Sequence, residues 1–196
     1  MQTMTHRTTA VTRLVTAAAR LDTGTVADTV AGWVAVHGVA VTWERLISPA
    51  WTDLGALFLA ERLFSQSVSG VLAAARRPPA TVLLACAENE DHVLPLDVLT
   101  AALAERGIGG CALGARVPRE ALADAADRLA PAVVVVWSQH PDTADAEQVT
   151  ALLVRYPAAV VIPAGPGWDR AALPAVAPPL PGVMATLTVT RAVLGR

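Results

Sequence analysis

Two hydrophobic periodicities divide the chain. From Thr8 to Arg76 apolar residues recur at helical spacing. Val11, Leu14, Val15, Ala18 and Leu21 form one stripe, closed by Asp22-Thr23-Gly24; Val26, Val30, Trp33, Val34 and His37 form a second, ended by Gly38. Val41 to Ile47 reads as a short third helix, stopped at Ser48-Pro49. Thr52 or Asp53 can then cap a long fourth helix, whose apolar side carries Leu54, Leu57, Phe58, Leu63, Phe64, Val68 and Leu72. Residues 1–7 read as a frayed end. Four helices with short joins predict a small antiparallel four-helix bundle over residues 8–76.

Arg76-Arg77-Pro78-Pro79-Ala80 breaks the helical period and marks a domain boundary. Beyond it, short continuous apolar runs alternate with amphipathic segments. Residues 81–85, 110–113, 132–137 and 158–162 read as strands buried on both faces. Residues 95–106, 118–129 and 143–155 read as the helices between them. Gly182 to Ala185 is expected as a fifth, edge strand and Thr186 to Leu194 as a last helix. The expected class is therefore α/β: the bundle, then a doubly wound, flavodoxin- or Rossmann-like parallel five-stranded sheet over residues 80–196.

Composition narrows the function. The chain has 196 residues, 54% hydrophobic and 16% charged, with a net charge of -2. All 15 basic residues are arginine. Without a basic face, direct nucleic-acid binding is not expected. Cys86 and Cys111 fall in predicted core strands and offer neither a disulfide framework nor zinc spacing. The polar N-terminus lacks the apolar core of a signal peptide, and no run of 18 apolar residues is present. A cytoplasmic protein without a membrane span is the expectation.

The candidate chemistry lies in Cys86-Ala87-Glu88-Asn89-Glu90-Asp91-His92-Val93-Leu94-Pro95, between the first strand and the helix that follows it. In an open α/β sheet that loop lies at the carboxyl edge, where ligands bind. It contains no Gly-x-Gly-x-x-Gly and no P-loop, so a nucleotide held in the usual way is disfavoured. Ser138 lacks the Gly-x-Ser-x-Gly elbow of a hydrolase. Taken alone, His92 reads as a loop histidine, Trp51 as a helix-packing tryptophan, and Glu61 and Arg62 as a solvated patch. Ser138 and Gly165 read as turn residues.

Taken together, these residues resemble a known family. Glu90-Asp91-His92-Val93-Leu94-Pro95 resembles the Asp/Glu-x-His-x-x-Gly signature of cobalamin-binding domains. Trp51, nine intervening residues and Glu61-Arg62 resemble the Trp-x9-Glu-His motif of CarH/LitR-type light-sensing regulators of the MerR class. The resemblance covers roughly residues 10–196. It implies His92 as lower ligand to cobalt, with Glu90 or Asp91 as the local candidate to orient it. It also implies that Gly114, Ser138, Gly165 and Gly167 line the cofactor's buried nucleotide tail. By the same resemblance, Trp51, Glu61 and Arg62 cover the adenosyl group of adenosylcobalamin, the bundle lying over its upper face.

Three positions depart from the family pattern. Arg62 replaces the motif's histidine, Thr52 stands where the photoreceptors carry a cobalt-capturing histidine, and Pro95 replaces a glycine. Photochemical switching of the known kind is therefore not carried over. The DNA-binding domain of such regulators is not expected either, since the chain begins almost at the bundle. The resemblance implies a cobalamin-binding sensor, not itself an enzyme and without catalytic residues. It would act through a protein partner such as a transcriptional regulator, with self-association left open. A corrinoid methyl carrier and a cofactor-free interaction module are the rival readings.

Overall fold

The computed structural model describes residues 2–55, 57–73 and 78–195, with side chains from residue 9 onward. The chain divides into two compact units, Met1–Ala75 and Arg76–Arg196. Arg76 and Arg77 of the expected boundary lie outside the described residues.

The first unit is helical. Helix α1 (Gln2–Ala19) begins at residue 2, so the stretch expected to fray is helical. It buries Leu14 and Ala18. Asp22, expected to close this helix, instead caps α2 (Thr23–Thr42): its carboxylate accepts from the Thr25 N–H at 3.0 Å and the Thr25 hydroxyl at 2.6 Å. The expected break at Gly38 is present, with φ 76°, a conformation open to glycine at little cost. The expected stop at Ser48-Pro49 is absent. A π-helical turn (Trp43–Ile47) leads directly into α3 (Ser48–Leu54), with Pro49 in its first turn. The imino nitrogen is tolerated there because first-turn N–H groups have little intrahelical use.

Thr52 and Asp53 therefore lie inside α3 and do not cap α4 (Phe58–Ala73). Helix α4 buries Ala60, Phe64, Val68 and Leu72, whereas Leu57 and Phe58, expected on its apolar side, are exposed. Helix α1 packs on α3, and α2 on α4. The helical stretch Thr23–Leu54, with mean hydropathy 1.2 over its most apolar window, is long and apolar enough to cross a membrane by length and composition alone. Gly38 breaks its helical geometry, and Glu44 and Arg45 lie exposed along it.

The second unit is a parallel sheet covered on both faces. Its strands are β1 (Ala80–Cys86), β2 (Gly109–Ala112), β3 (Val133–Trp137) and β4 (Val160–Ala164), in the order β2-β1-β3-β4. Helices α5 (Leu94–Ala104), α6 (Arg119–Leu129) and α7 (Ala146–Arg155) make the crossovers, and α8 (Val183–Val193) closes the chain.

The expected fifth strand is not formed. Residues 183–185 belong to α8, and among the described residues the further pairing at this edge is a single bridge between Ala164 and Leu180. Pro178, Pro179 and Pro181 flank Leu180 and supply no N–H, so a ladder cannot extend there.

Alternate residues of each strand face opposite layers. Leu83, Ala85, Val134, Val136 and Val161 meet Leu122 and Ala126 of α6 and Val149 and Leu152 of α7. Helices α5 and α8 pack on each other and on the sheet. The strand order reverses between β1 and β3, and the carboxyl ends of those two strands form the switch point where such sheets bind ligands.

Backbone approach is tight at the amino end of β1. A Cβ on Gly109 would lie 2.0 Å from the Pro79 carbonyl oxygen, whereas one on Gly70, on the exposed side of α4, would meet nothing within 4 Å. Gly109→Ala should therefore destabilise the protein by about 2 kcal/mol or more. Gly70→Ala should stabilise it by about 0.5–1 kcal/mol. Urea unfolding of both variants checks the pair, and equal midpoints would contradict the packing described.

Candidate functional site at the carboxyl edge of the sheet

The site is built where the loops after β1 and β3 meet. Each loop continues its strand. The Ala87 N–H donates to the Trp137 carbonyl at 2.8 Å, and the Ser138 N–H to that of Ala164 at 2.9 Å. The first loop then turns, the Glu90 N–H donating to the Ala87 carbonyl at 2.9 Å. Glu90 itself is fully buried.

Four donors converge on its carboxylate. Oε1 accepts from the His92 backbone N–H at 2.8 Å and lies 2.5 Å from His92 Nδ1. Oε2 accepts from the Gln139 N–H and the Thr143 hydroxyl, both at 2.7 Å. Burial alone would raise the carboxyl pKa, but the His92, Thr143 and Gln139 hydrogen bonds outweigh it and lower the group from 4.5 to about 2.

That ionised carboxylate can only accept, so Nδ1 carries the proton of the imidazole. The lone pair of a neutral His92 is then on Nε2. The side chain is 33% exposed, while Glu90 behind it is 1% exposed. An imidazole set in this way is a metal donor whose tautomer is fixed from behind.

Thr143 extends the network. Its hydroxyl is 2.7 Å from Ser138 Oγ, which donates to the His140 carbonyl at 2.9 Å. The His140 ring stands edge-on to His92, with centroids 5.1 Å apart.

Ion pairs rim the loops. Asp91 holds Arg116 through two contacts of 2.5 and 2.6 Å, and the Arg116 N–H donates to the Glu90 carbonyl. This pairing lowers the Asp91 pKa. Arg119 pairs with Asp145, the N-cap of α7, and lies 3.7 Å from Glu88. Exposed pairs of this kind add little stability, but they set which loops lie side by side.

The residues singled out in the sequence are divided between the two units. His92, Glu90 and Ser138 come together with Gly165 and Gly167. Gly165 takes φ 102°, and a Cβ on it would lie 2.2 Å from the Ser138 carbonyl oxygen; one on Gly167 would lie 2.4 Å from Ser138 Oγ. Asp91 is turned away to Arg116, so of the two candidates it is Glu90 that meets the ring. Gly114, with φ 91°, is tied to β1 by a hydrogen bond from the Cys86 N–H.

Trp51, Glu61 and Arg62 belong to the helical unit. The Trp51 indole N–H donates to Glu61 Oε1 at 2.5 Å, as does the Ser65 hydroxyl at 2.8 Å. Trp43 stands 6.0 Å from the Trp51 ring, and Arg62 is exposed. Sequence reasoning missed Thr143, Ser65 and the pairing of Arg116 with Asp91. The sequence pattern places Thr143 at the start of a helix that in fact begins at Ala146, and its position in a polar stretch after β3 is the available signal.

No protein-family model and no curated protein matches the chain. Solved structures do. A cobalamin-binding protein from Desulfitobacterium hafniense is 18% identical, covering 93% of this chain and 98% of its own, with a TM-score of 0.51. The monomethylamine corrinoid protein of Methanosarcina barkeri is 12% identical, covering 92% and 96%, with a TM-score of 0.71. The fold is shared with corrinoid proteins. A chain of the methanol:cobalamin methyltransferase complex of Methanosarcina barkeri also matches, at 13% identity over 95% of this chain and 80% of its own, with a TM-score of 0.52.

The Glu90 carboxyl titrates near 4.5 when unfolded and near 2 when folded. The stability it contributes is thus complete above pH 4.5 and is lost as pH falls toward 2. Glu90→Gln should lower stability at pH 7 by roughly 3 kcal/mol and flatten the acid limb of the stability profile. Urea unfolding across pH 2–7 reads both effects; a variant that keeps the wild-type acid limb would contradict the buried, ionised carboxylate.

Proposed function

We propose that this chain binds a cobalamin-type corrinoid, with His92 Nε2 as lower ligand to cobalt. The observation that carries this reading is the Glu90–His92 pair at the switch point: a buried carboxylate holds Nδ1 and leaves the ligating lone pair on Nε2. Among the described residues no group of three or more His, Cys, Asp and Glu side chains could hold a bare metal ion. A single imidazole suits a metal whose other positions are supplied by a macrocycle. The fold shared with corrinoid proteins supports the same reading.

When bound, the corrinoid would supply the cobalt–carbon chemistry. The chain's own residues do the rest. Glu90 holds the imidazole proton and orients the ring, and Thr143 and the Gln139 N–H hold Glu90. Ser138 fixes the loop through the His140 carbonyl. In the helical unit we assign Trp51 and Glu61 to an adenosyl upper ligand. The indole offers a flat apolar face, and the carboxylate can accept from ribose hydroxyls. Arg62, exposed beside Glu61, is assigned to the same group.

In this reading the protein is not an enzyme. It is a cytoplasmic sensor of the CarH/LitR kind that signals the state of its corrinoid to a protein partner such as a transcriptional regulator. Signalling of that sort requires the corrinoid to bind two conformations with different affinity. A second reading, a methyl-carrying corrinoid protein, draws on the methyltransferase complex and the monomethylamine corrinoid protein that share the fold.

Titration with adenosylcorrinoids in the dark, followed by visible absorbance, is the test. A histidine-ligated spectrum is expected from the wild type, and its loss or a weakening of about tenfold or more from His92→Ala. Unchanged affinity and spectrum in the variant would remove His92 from the metal. Green light that alters both spectrum and assembly favours the sensor. Acceptance of a methyl group by the reduced corrinoid without any response to light favours the carrier.

A further inference from the structure

The tail of the corrinoid poses a separate problem of fit. A cobalamin carries a phosphate–ribose–benzimidazole tail at the edge of its ring. When a protein histidine takes the lower cobalt position, that tail needs an apolar slot of its own beside the histidine. Among the described residues, those expected to line such a slot pack against one another.

Ser138 is fully buried, its hydroxyl donating to the His140 carbonyl and lying 2.7 Å from Thr143 Oγ1. The space over Gly165 and Gly167, where a tail would approach backbone, is taken by Ser138 and by the His140 backbone. The largest side chain beside them is Trp137. In the last row of the sheet it is in register with Cys86 on β1 and Ala164 on β4, so one indole stands between two small side chains. All three point away from the layer that contains Val136 and Ala85.

Trp137 is 2% exposed, and its ring comes within 3.1 Å of where a Gly165 Cβ would be. Its buried indole N–H finds no acceptor among the described residues. A tryptophan held for hydrogen bonding would not be left so; bulk is what this ring contributes. The Pro95 ring, also buried, adds further volume in the first turn of α5, immediately after the His92 loop.

Resting on the corrinoid reading above, we propose that Trp137 is a specificity-determining residue. It closes the tail slot, so the chain prefers corrinoids that lack the nucleotide tail, the cobinamide class, over complete cobalamins. Discrimination arises by exclusion of the tail; a cobalamin must also release its own base from cobalt before His92 can bond, a cost that belongs to the ligand and is the same in every variant, so the change on replacing Trp137 isolates the part played by the indole.

The test is a pair of titrations of the full chain, with aquacobinamide and with hydroxocobalamin, each followed by visible absorbance. The wild type should bind cobinamide at least about tenfold more tightly, a difference of about 1.4 kcal/mol. Trp137→Val should raise cobalamin affinity about tenfold while moving cobinamide affinity by less than about threefold. Valine matches the other residues of β3, and retained cobinamide binding reports that the variant is folded. If it does not fold, Trp137→Phe, with a smaller ring at the same position, makes the same comparison.

Equal affinity of the wild type for the two corrinoids, or tighter binding of cobalamin, would overturn the proposal. So would a folded variant whose two affinities shift together. Failure of both corrinoids to bind would instead overturn the corrinoid reading and take this inference with it.

Discussion

A buried carboxylate is the constraint on which the sheet unit's carboxyl edge depends. Glu90 has no exposed surface, so an ionised side chain there persists only if donors replace the water it has lost. They come from two loops. His92 gives two hydrogen bonds from the loop after β1; Gln139 and Thr143 give one each from the loop after β3. The charge therefore ties together the two loops at the point where the strand order reverses. It also decides the chemistry of the neighbouring ring, because an acceptor-only partner dictates which nitrogen of His92 is protonated. Loop geometry and ligand chemistry are set by the same four hydrogen bonds.

The crossover helices and the strands of the sheet unit were legible because their signals are local. Val133, Val134, Val135 and Val136 can only be a strand buried on both faces, and Asp145 before Ala146 is an N-cap with its own hydrogen bonds. The errors arose where local signals compete with context. Ser48-Pro49 reads as a stop, but proline in the first turn of α3 continues a helical path. Gly182 to Ala185 is apolar enough for a strand, yet the prolines around Leu180 leave too few N–H groups to pair, and the segment enters α8.

The candidate site divides in the same way. Glu90 lies two residues before His92, so their pairing was readable as one of two options; that Asp91 faces Arg116 instead depends on the loop after β2, 25 residues away. Thr143 is 53 residues from Glu90, a separation at which no spacing rule speaks. Gly165 and Gly167 are expected, from the resemblance, where backbone approaches a cofactor's tail. In the structure Ser138 and the His140 backbone of the same chain lie against them, a contact that no local pattern announces. The bulk of Trp137 was visible in the sequence, but its consequence depends on the register that sets it between Cys86 and Ala164.

The central claim is that His92 Nε2, oriented by Glu90, bonds cobalt. Its most direct test is electron paramagnetic resonance of the protein loaded with a cobalt(II) corrinoid, prepared with ordinary and with 15N-labelled histidine. Superhyperfine lines that change from triplets to doublets on labelling, and that vanish in His92→Ala, are the predicted result. Triplets that persist with labelled histidine would show that the axial nitrogen belongs to the corrinoid's own base, and would contradict the account.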